Sequence, residues 1–149
     1  MNPTIPHIVK AAGSLLLEVE KAVADFPRKH RYSLGTDLRD GAINLVLLGQ
    51  EASRAGREPN RQRALLRELS RCIDKLKLQI LMGHRLQCFS FARCELLTTM
   101  AASCGRQCGG WLKAHTIKHP KGQNPAASGR QERAEILSTA AASGQGAYA

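Results

Sequence analysis

The sequence predicts an all-α protein built as an antiparallel up-down-up-down four-helix bundle. Three observations predict it. Apolar residues recur every three or four positions over four long segments, the period of a helix face. The breaks between those segments are short and fall at proline and glycine. Aromatic residues make up only 4% of the chain and Trp111 is the sole tryptophan, so the core must be Leu, Ile, Val and Ala, which suits packed helices. No stretch alternates with the period of a strand, and no repeat of fixed length appears.

The first helix is expected from about Ile5 to Asp25, with Ile8, Ala12, Leu15, Leu16, Val19, Val23 and Phe26 on one stripe. Pro27 ends it, because a proline disfavours helix in the residue before it. Arg28, Lys29, His30 and Arg31 then make a short basic connection. The second helix is expected over about Ser33 to Ala55, with Ser33 as an N-cap whose hydroxyl accepts from a backbone N–H. Leu34, Leu38, Ala42, Leu45, Leu48 and Ala52 repeat along it. Gly41 and Gly49 each cost about 1 kcal/mol relative to Ala, a cost that hints at close approach of another helix. Gly56, Pro59 and Asn60 read as a loop.

The third helix is expected from about Arg61 to Leu86, burying Leu65, Leu66, Leu69, Ile73, Leu76, Ile80 and Leu81. Its opposite side carries Arg63, Arg67, Arg71 and Lys75 at intervals of four, so these cations are neighbours on one slanted ridge. Glu68 and Asp74 are the only acids beside it. Like charges at this spacing destabilise a helix by about 0.2–0.5 kcal/mol per pair, a repulsion that a phosphate backbone would offset. The fourth helix is expected from about Ser90 to Lys113, with Phe91, Cys94, Leu97, Met100, Ala101, Cys104, Cys108, Trp111 and Leu112 apolar. Residues 1–114 are thus read as the bundle. Residues 115–149, with Pro120, Gly122 and Pro125, are read as a flexible basic tail.

The net charge is +10, from 22 Lys and Arg against 12 Asp and Glu, and it is unevenly spread. Residues 1–60 hold eight bases and seven acids, whereas residues 61–113 hold ten bases and three acids. A basic segment of this kind is the electrostatic footprint of a polyanion binder. Arg28, Lys29 and Arg31 in the connection and Arg63, Arg67, Arg71 and Lys75 on the ridge are the candidate nucleic-acid contacts. No base-reading motif is visible, so contact with the phosphate backbone is the expected mode.

The five cysteines, Cys72, Cys88, Cys94, Cys104 and Cys108, are odd in number and lie within an apolar helical pattern. They read as reduced thiols of a cytoplasmic protein acting as small hydrophobes, with no metal and no disulfide framework. No apolar run approaches the roughly 20 residues of a membrane span. No nucleophile, base and orienting group stand at a spacing that implies catalysis. Asp37 and Asp40 share a helix face, but the Glu-x-x-His companion of a carboxylate metal site is absent. His30 and His84 are isolated. The chain reads as a non-enzyme without a cofactor.

The stretch Phe26-Pro27-Arg28-Lys29-His30-Arg31-Tyr32-Ser33-Leu34-Gly35 resembles the first helix–helix connection of the accessory variability determinant (Avd) proteins of diversity-generating retroelements. The run Gly105-Arg106-Gln107-Cys108-Gly109-Gly110-Trp111-Leu112-Lys113 resembles their C-terminal helix end. Between them, Leu66-Arg67-Glu68-Leu69 and Asp74-Lys75-Leu76-Lys77-Leu78 match the family's third helix in type and place. The resemblance spans about residues 8–114. It implies a homopentameric barrel of four-helix bundles that binds the element's reverse transcriptase and its template RNA, or an RNA/DNA hybrid, during mutagenic cDNA synthesis. The ridge comes from spacing and is not a family motif, and the segment after Lys113 departs from the family's compact end. Two alternatives remain open: an RNA-binding bundle of the type encoded in 23S ribosomal RNA intervening sequences, and a protein-only scaffold whose basic face meets an acidic partner.

Overall fold

Four long helices and one single helical turn account for most of the chain in the computed structural model, which describes residues 6–120. They are α1 (His7–Ala24), α2 (Arg28–Arg31), α3 (Leu34–Arg54), α4 (Pro59–Arg85) and α5 (Phe91–Lys118). The four expected helices are therefore α1, α3, α4 and α5. No strand occurs among the described residues. The chain divides into residues 1–115 and 116–149, and only residues 116–120 of the second part are described.

Each connection is closed by backbone hydrogen bonds that come from its local sequence. Pro27 ends α1 as expected. The basic connection after it is one helical turn, in which the Pro27 carbonyl accepts from the His30 and Arg31 amides at 2.9 and 3.0 Å. Ser33 holds the N-cap position of α3 without capping it: its hydroxyl donates back to the His30 carbonyl at 3.4 Å. Pro59 and Asn60 do not form a loop. Pro59 opens α4 at the first helical position, where its missing N–H costs nothing and its fixed φ suits the helix. The Gln62 side chain donates at 2.8 Å to the Ala52 carbonyl, one of the unpartnered carbonyls in the last turn of α3.

The α4–α5 corner is a Schellman turn. The Cys88 amide donates to the Gly83 carbonyl at 2.8 Å and the Gln87 amide to the His84 carbonyl at 3.0 Å. Gln87 takes the left-handed position, φ 59°, normally given to glycine. Ser90 then caps α5, its hydroxyl accepting from the Arg93 amide at 3.2 Å. At the far end α5 runs past the expected stop near Lys113 to Lys118. It ends where Pro120 disfavours helix at His119. His115, read as part of a tail, lies on the buried face of α5 and is 4% exposed. The rest of that tail, residues 121–149, lies outside the described residues.

The core is a single apolar cluster: Leu15, Val19 and Val23 from α1, Leu38, Ala42 and Leu45 from α3, Leu66, Leu69, Ile73, Leu76 and Ile80 from α4, and Leu97, Ala101, Cys104 and Cys108 from α5. The two glycines flagged by their mid-helix cost do sit at close approaches. A β-carbon at Gly49 would stand 3.2 Å from Val9 of α1, and one at Gly41 would stand 3.2 Å from Leu76 of α4. Gly35 meets Val23, and Leu34 reaches Gly83. On α5, Cys108 donates to the Leu66 carbonyl at 3.3 Å, and Gly105 stands over Ile73. Arg93 pairs with Glu18 of α1 at 3.2 Å.

Two residues expected in the core are not there. Leu81 is 46% exposed, because the buried face of α4 is the narrow stripe through Leu76 and Ile80 and the next residue turns outward. Phe91, the first residue of α5, is 69% exposed, its one ring contact among the described residues being the edge-on approach to His84 at 5.9 Å.

Candidate nucleic-acid interface

The cation ridge forms on α4 as the four-residue spacing predicts. Arg67, Arg71 and Lys75 are exposed and Arg63 is half-buried. At 1.5 Å per residue the ridge is about 18 Å long. Among the described residues Arg67, Arg71 and Lys75 enter no ion pair; the pairs that do form are Lys21–Glu18, Arg39–Glu20, Arg61–Glu58 and Arg93–Glu18. Those pairs take carboxylates of α1 and of the α3–α4 connection, so none shields the ridge. Ala64, Arg67, Ser70 and Arg71, with Leu112 of α5, line an open groove along the ridge. It brings two guanidinium groups and a hydroxyl together with the apolar Ala64 and Leu112. Such a surface offers charge-assisted, bidentate hydrogen bonds to phosphate oxygens.

The connection residues divide by role. Arg28 and Lys29 are exposed. Arg31 is half-buried, and its guanidinium donates to the Phe26 carbonyl at 3.2 Å, so part of its hydrogen-bonding capacity holds the turn. Tyr32 comes next and is 77% exposed. The ridge and the connection are not brought side by side. Lys29 lies near Cys88, whose thiol its charge helps to stabilise as thiolate against the larger opposing effect of burial. Cys88 stands just past the C-terminus of α4, and Lys75 is about 15 Å short of Arg85 along that helix.

Arg85 was missed by the sequence reading, which took the ridge only as far as Lys75. It is exposed and stands about five helical turns beyond Arg67, which returns it to the same side of α4. The 18-residue spacing was the available signal, obscured by the apolar residues between. Leu78, Leu81 and Met82 occupy the outer face of α4 between Lys75 and Arg85, all exposed. The outer face of α4 thus changes from cationic to apolar and ends in a cation.

The thiols are poor candidates for metal or nucleophilic chemistry. Burial pushes the pKa of Cys72, Cys88 and Cys104 up, and that of Cys108 up to about 11. All five cysteines are free thiols. A thiolate is the metal ligand and the nucleophile, and burial disfavours it at Cys72, Cys88, Cys104 and Cys108. Among the described residues no three His, Cys, Asp or Glu side chains converge as a metal site would require. No described helix is long and apolar enough to cross a membrane.

No family model matches the chain, and no curated protein matches it.

Proposed function

We propose that the chain is a non-catalytic accessory protein of a diversity-generating retroelement, binding the template RNA and the reverse transcriptase. The observation that carries the RNA part is the exposed ridge Arg67, Arg71 and Lys75 on α4, which enters no ion pair among the described residues; Arg63 continues it along the helix, and a groove of hydrogen-bond donors borders it. Cations left without carboxylate partners repel one another, and a phosphate backbone relieves that repulsion while releasing its own counterions. Arg28, Lys29 and Arg31 are proposed as a second contact. The resemblance of residues 26–35 and 105–113 to the Avd proteins supports the retroelement assignment and the transcriptase as protein partner.

The bundle is proposed to run up-down-up-down. The order of contacts supports this: Val9 and Val23 of α1 meet Gly49 and Gly35 of α3, and Leu66 and Ile73 of α4 meet Cys108 and Gly105 of α5. In both pairs one helix is ascended as the other is descended. Five bundles are proposed to close into a ring, residues 1–114 forming the bundle and the remainder a basic extension.

RNA binding by purified full-length protein, measured against salt, tests the ridge. With about 6–10 phosphates contacted, affinity falls roughly 10³- to 10⁵-fold between 50 and 200 mM salt. Arg67→Glu with Arg71→Glu abolishes binding while helicity and solution mass stay unchanged. A flat salt response, or full binding by the double variant, refutes the ridge. One observation favours a second reading as a protein scaffold: Leu78, Leu81 and Met82 stay exposed on the outer face of α4, the composition of a protein contact. Under that reading the protein binds a partner and no RNA.

A further inference from the structure

Two connections distant in sequence meet at one end of the bundle. Phe26, at the end of α1, and Phe89, between α4 and α5, have ring centroids 5.6 Å apart. Lys29 is close enough to Cys88 to act on its thiol. Phe89 also lies against Gly83, where a β-carbon would stand 2.7 Å from its ring. This packing ties the segment after Phe26 to the segment before α5.

What these segments present to solvent is unusual for so aromatic-poor a chain. Tyr32 is 77% exposed and Phe91 is 69% exposed. Around them the backbone is held. Tyr32 succeeds the single turn of α2, which Arg31 fastens to the Phe26 carbonyl. Phe91 succeeds the Ser90 cap and meets the His84 ring edge-on at 5.9 Å. Along the chain both rings lie in acid-free stretches, although the exposed Glu95 stands one helical turn from Phe91 on α5. From Phe26 to Thr36, and again from Lys75 to Cys94, there is no Asp or Glu. Arg28, Lys29 and Arg85 are exposed within those stretches, and Asp25 and Asp37 stand just outside the first.

Exposed rings on a fixed backbone, beside cations that enter no ion pair among the described residues, are what an unpaired strand of nucleic acid requires. Its bases stack on aromatic faces and its phosphates meet the cations. A duplex hides its base faces and offers only phosphate and sugar, for which the rings supply nothing. We infer that Tyr32 and Phe91, with Arg28, Lys29 and Arg85, form a stacking platform for unpaired bases of RNA at this end of the bundle. The inference rests on the proposed RNA binding and deepens it. The ridge holds backbone of any kind, and the platform selects single strands.

The test compares full-length protein with Tyr32→Ala, Phe91→Ala and the double variant. The probes are a labelled oligouridylate and an RNA duplex with the same number of phosphates. Each ring removed lowers affinity for the single strand by roughly 5- to 150-fold, the range for loss of one stacked base. Duplex affinity and the salt dependence of both probes stay as in the parent. Tyr32→Phe and Phe91→Tyr, which keep a ring, bind like the parent. Unchanged single-strand affinity in the double variant overturns the platform, as does an equal loss toward both probes. A changed solution mass, or loss of transcriptase co-purification with RNA binding intact, overturns it in favour of a protein contact. Failure of the underlying reading shows separately: Arg67→Glu with Arg71→Glu then leaves both probes bound, whatever the ring variants do.

Discussion

The Cys108 thiol lies on the buried face of α5 and donates to the Leu66 carbonyl at 3.3 Å, a bond only the protonated form makes. Burial first, then the charges of Asp74 and Cys104, raise its pKa from 9.0 to about 11. A group whose pKa is raised on folding binds its proton more tightly in the native state, so stability falls as that proton is lost. The contribution is whole below about pH 9 and disappears as pH rises toward 11. Burial shifts Cys72, Cys88 and Cys104 in the same direction. Urea unfolding between pH 8 and 11 is expected to show a steeper alkaline loss of stability in the parent than in Cys108→Ala. Parallel curves for the two proteins would refute the assignment.

Among the elements, α4 and α5 carry glycines of opposite meaning. Gly83, in the last turn of α4, is required by contact: an added β-carbon would stand 2.7 and 2.8 Å from two atoms of the Phe89 ring. Gly83→Ala is expected to cost about 1–3 kcal/mol, the range for overpacking a filled site. It also loosens the Phe26–Phe89 contact that joins the two connections. Among the described residues, nothing beyond Gly109's own stretch of helix lies within 4 Å of an added β-carbon. Gly109→Ala is expected to stabilise the protein by up to about 1 kcal/mol, since only the helix propensity changes. Denaturant unfolding of both variants checks the pair. A Gly83→Ala protein as stable as the parent would contradict the packing at that corner.

For the whole molecule, the proposed ring changes the scale of the electrostatics. One chain carries +10, and five carry about +50 on one particle, so that many weak phosphate contacts act together on one RNA. Light scattering of the purified protein is expected to give five times 16.2 kDa, about 81 kDa. A mass near that of one chain would refute the ring and remove the main support for the retroelement. RNA binding by a single bundle would still be testable. A monomer that binds RNA as tightly as the assembly would show that avidity contributes nothing.

Much of this protein was legible in one dimension, because helix period and breakers are local properties. The stripe Leu66, Leu69, Ile73, Leu76 and Ile80 is buried as its spacing requires, and Pro27 stops α1 by its own sterics. The exposed ridge Arg67, Arg71 and Lys75 comes from the same periodicity, since four-residue spacing keeps side chains on one side of a helix whatever it packs against. Errors arose where an end or a neighbour decides. Ser33 has the residue type of a side-chain cap, but its hydroxyl finds the His30 carbonyl of the turn before it. Pro59 has the look of a breaker, although at a first helical position the same ring starts a helix. Leu81, Phe91 and His115 were misplaced because burial is settled by which side of a helix its neighbours cover, and no single helix contains that information. The sequence by itself therefore determined the helices, their apolar faces and the cationic ridge, all of which depend on residues within a few positions of one another. Only the tertiary structure joined the connection after Phe26 to the one around Phe89, because that meeting depends on two rings, far apart along the chain, packing into the same end of the core.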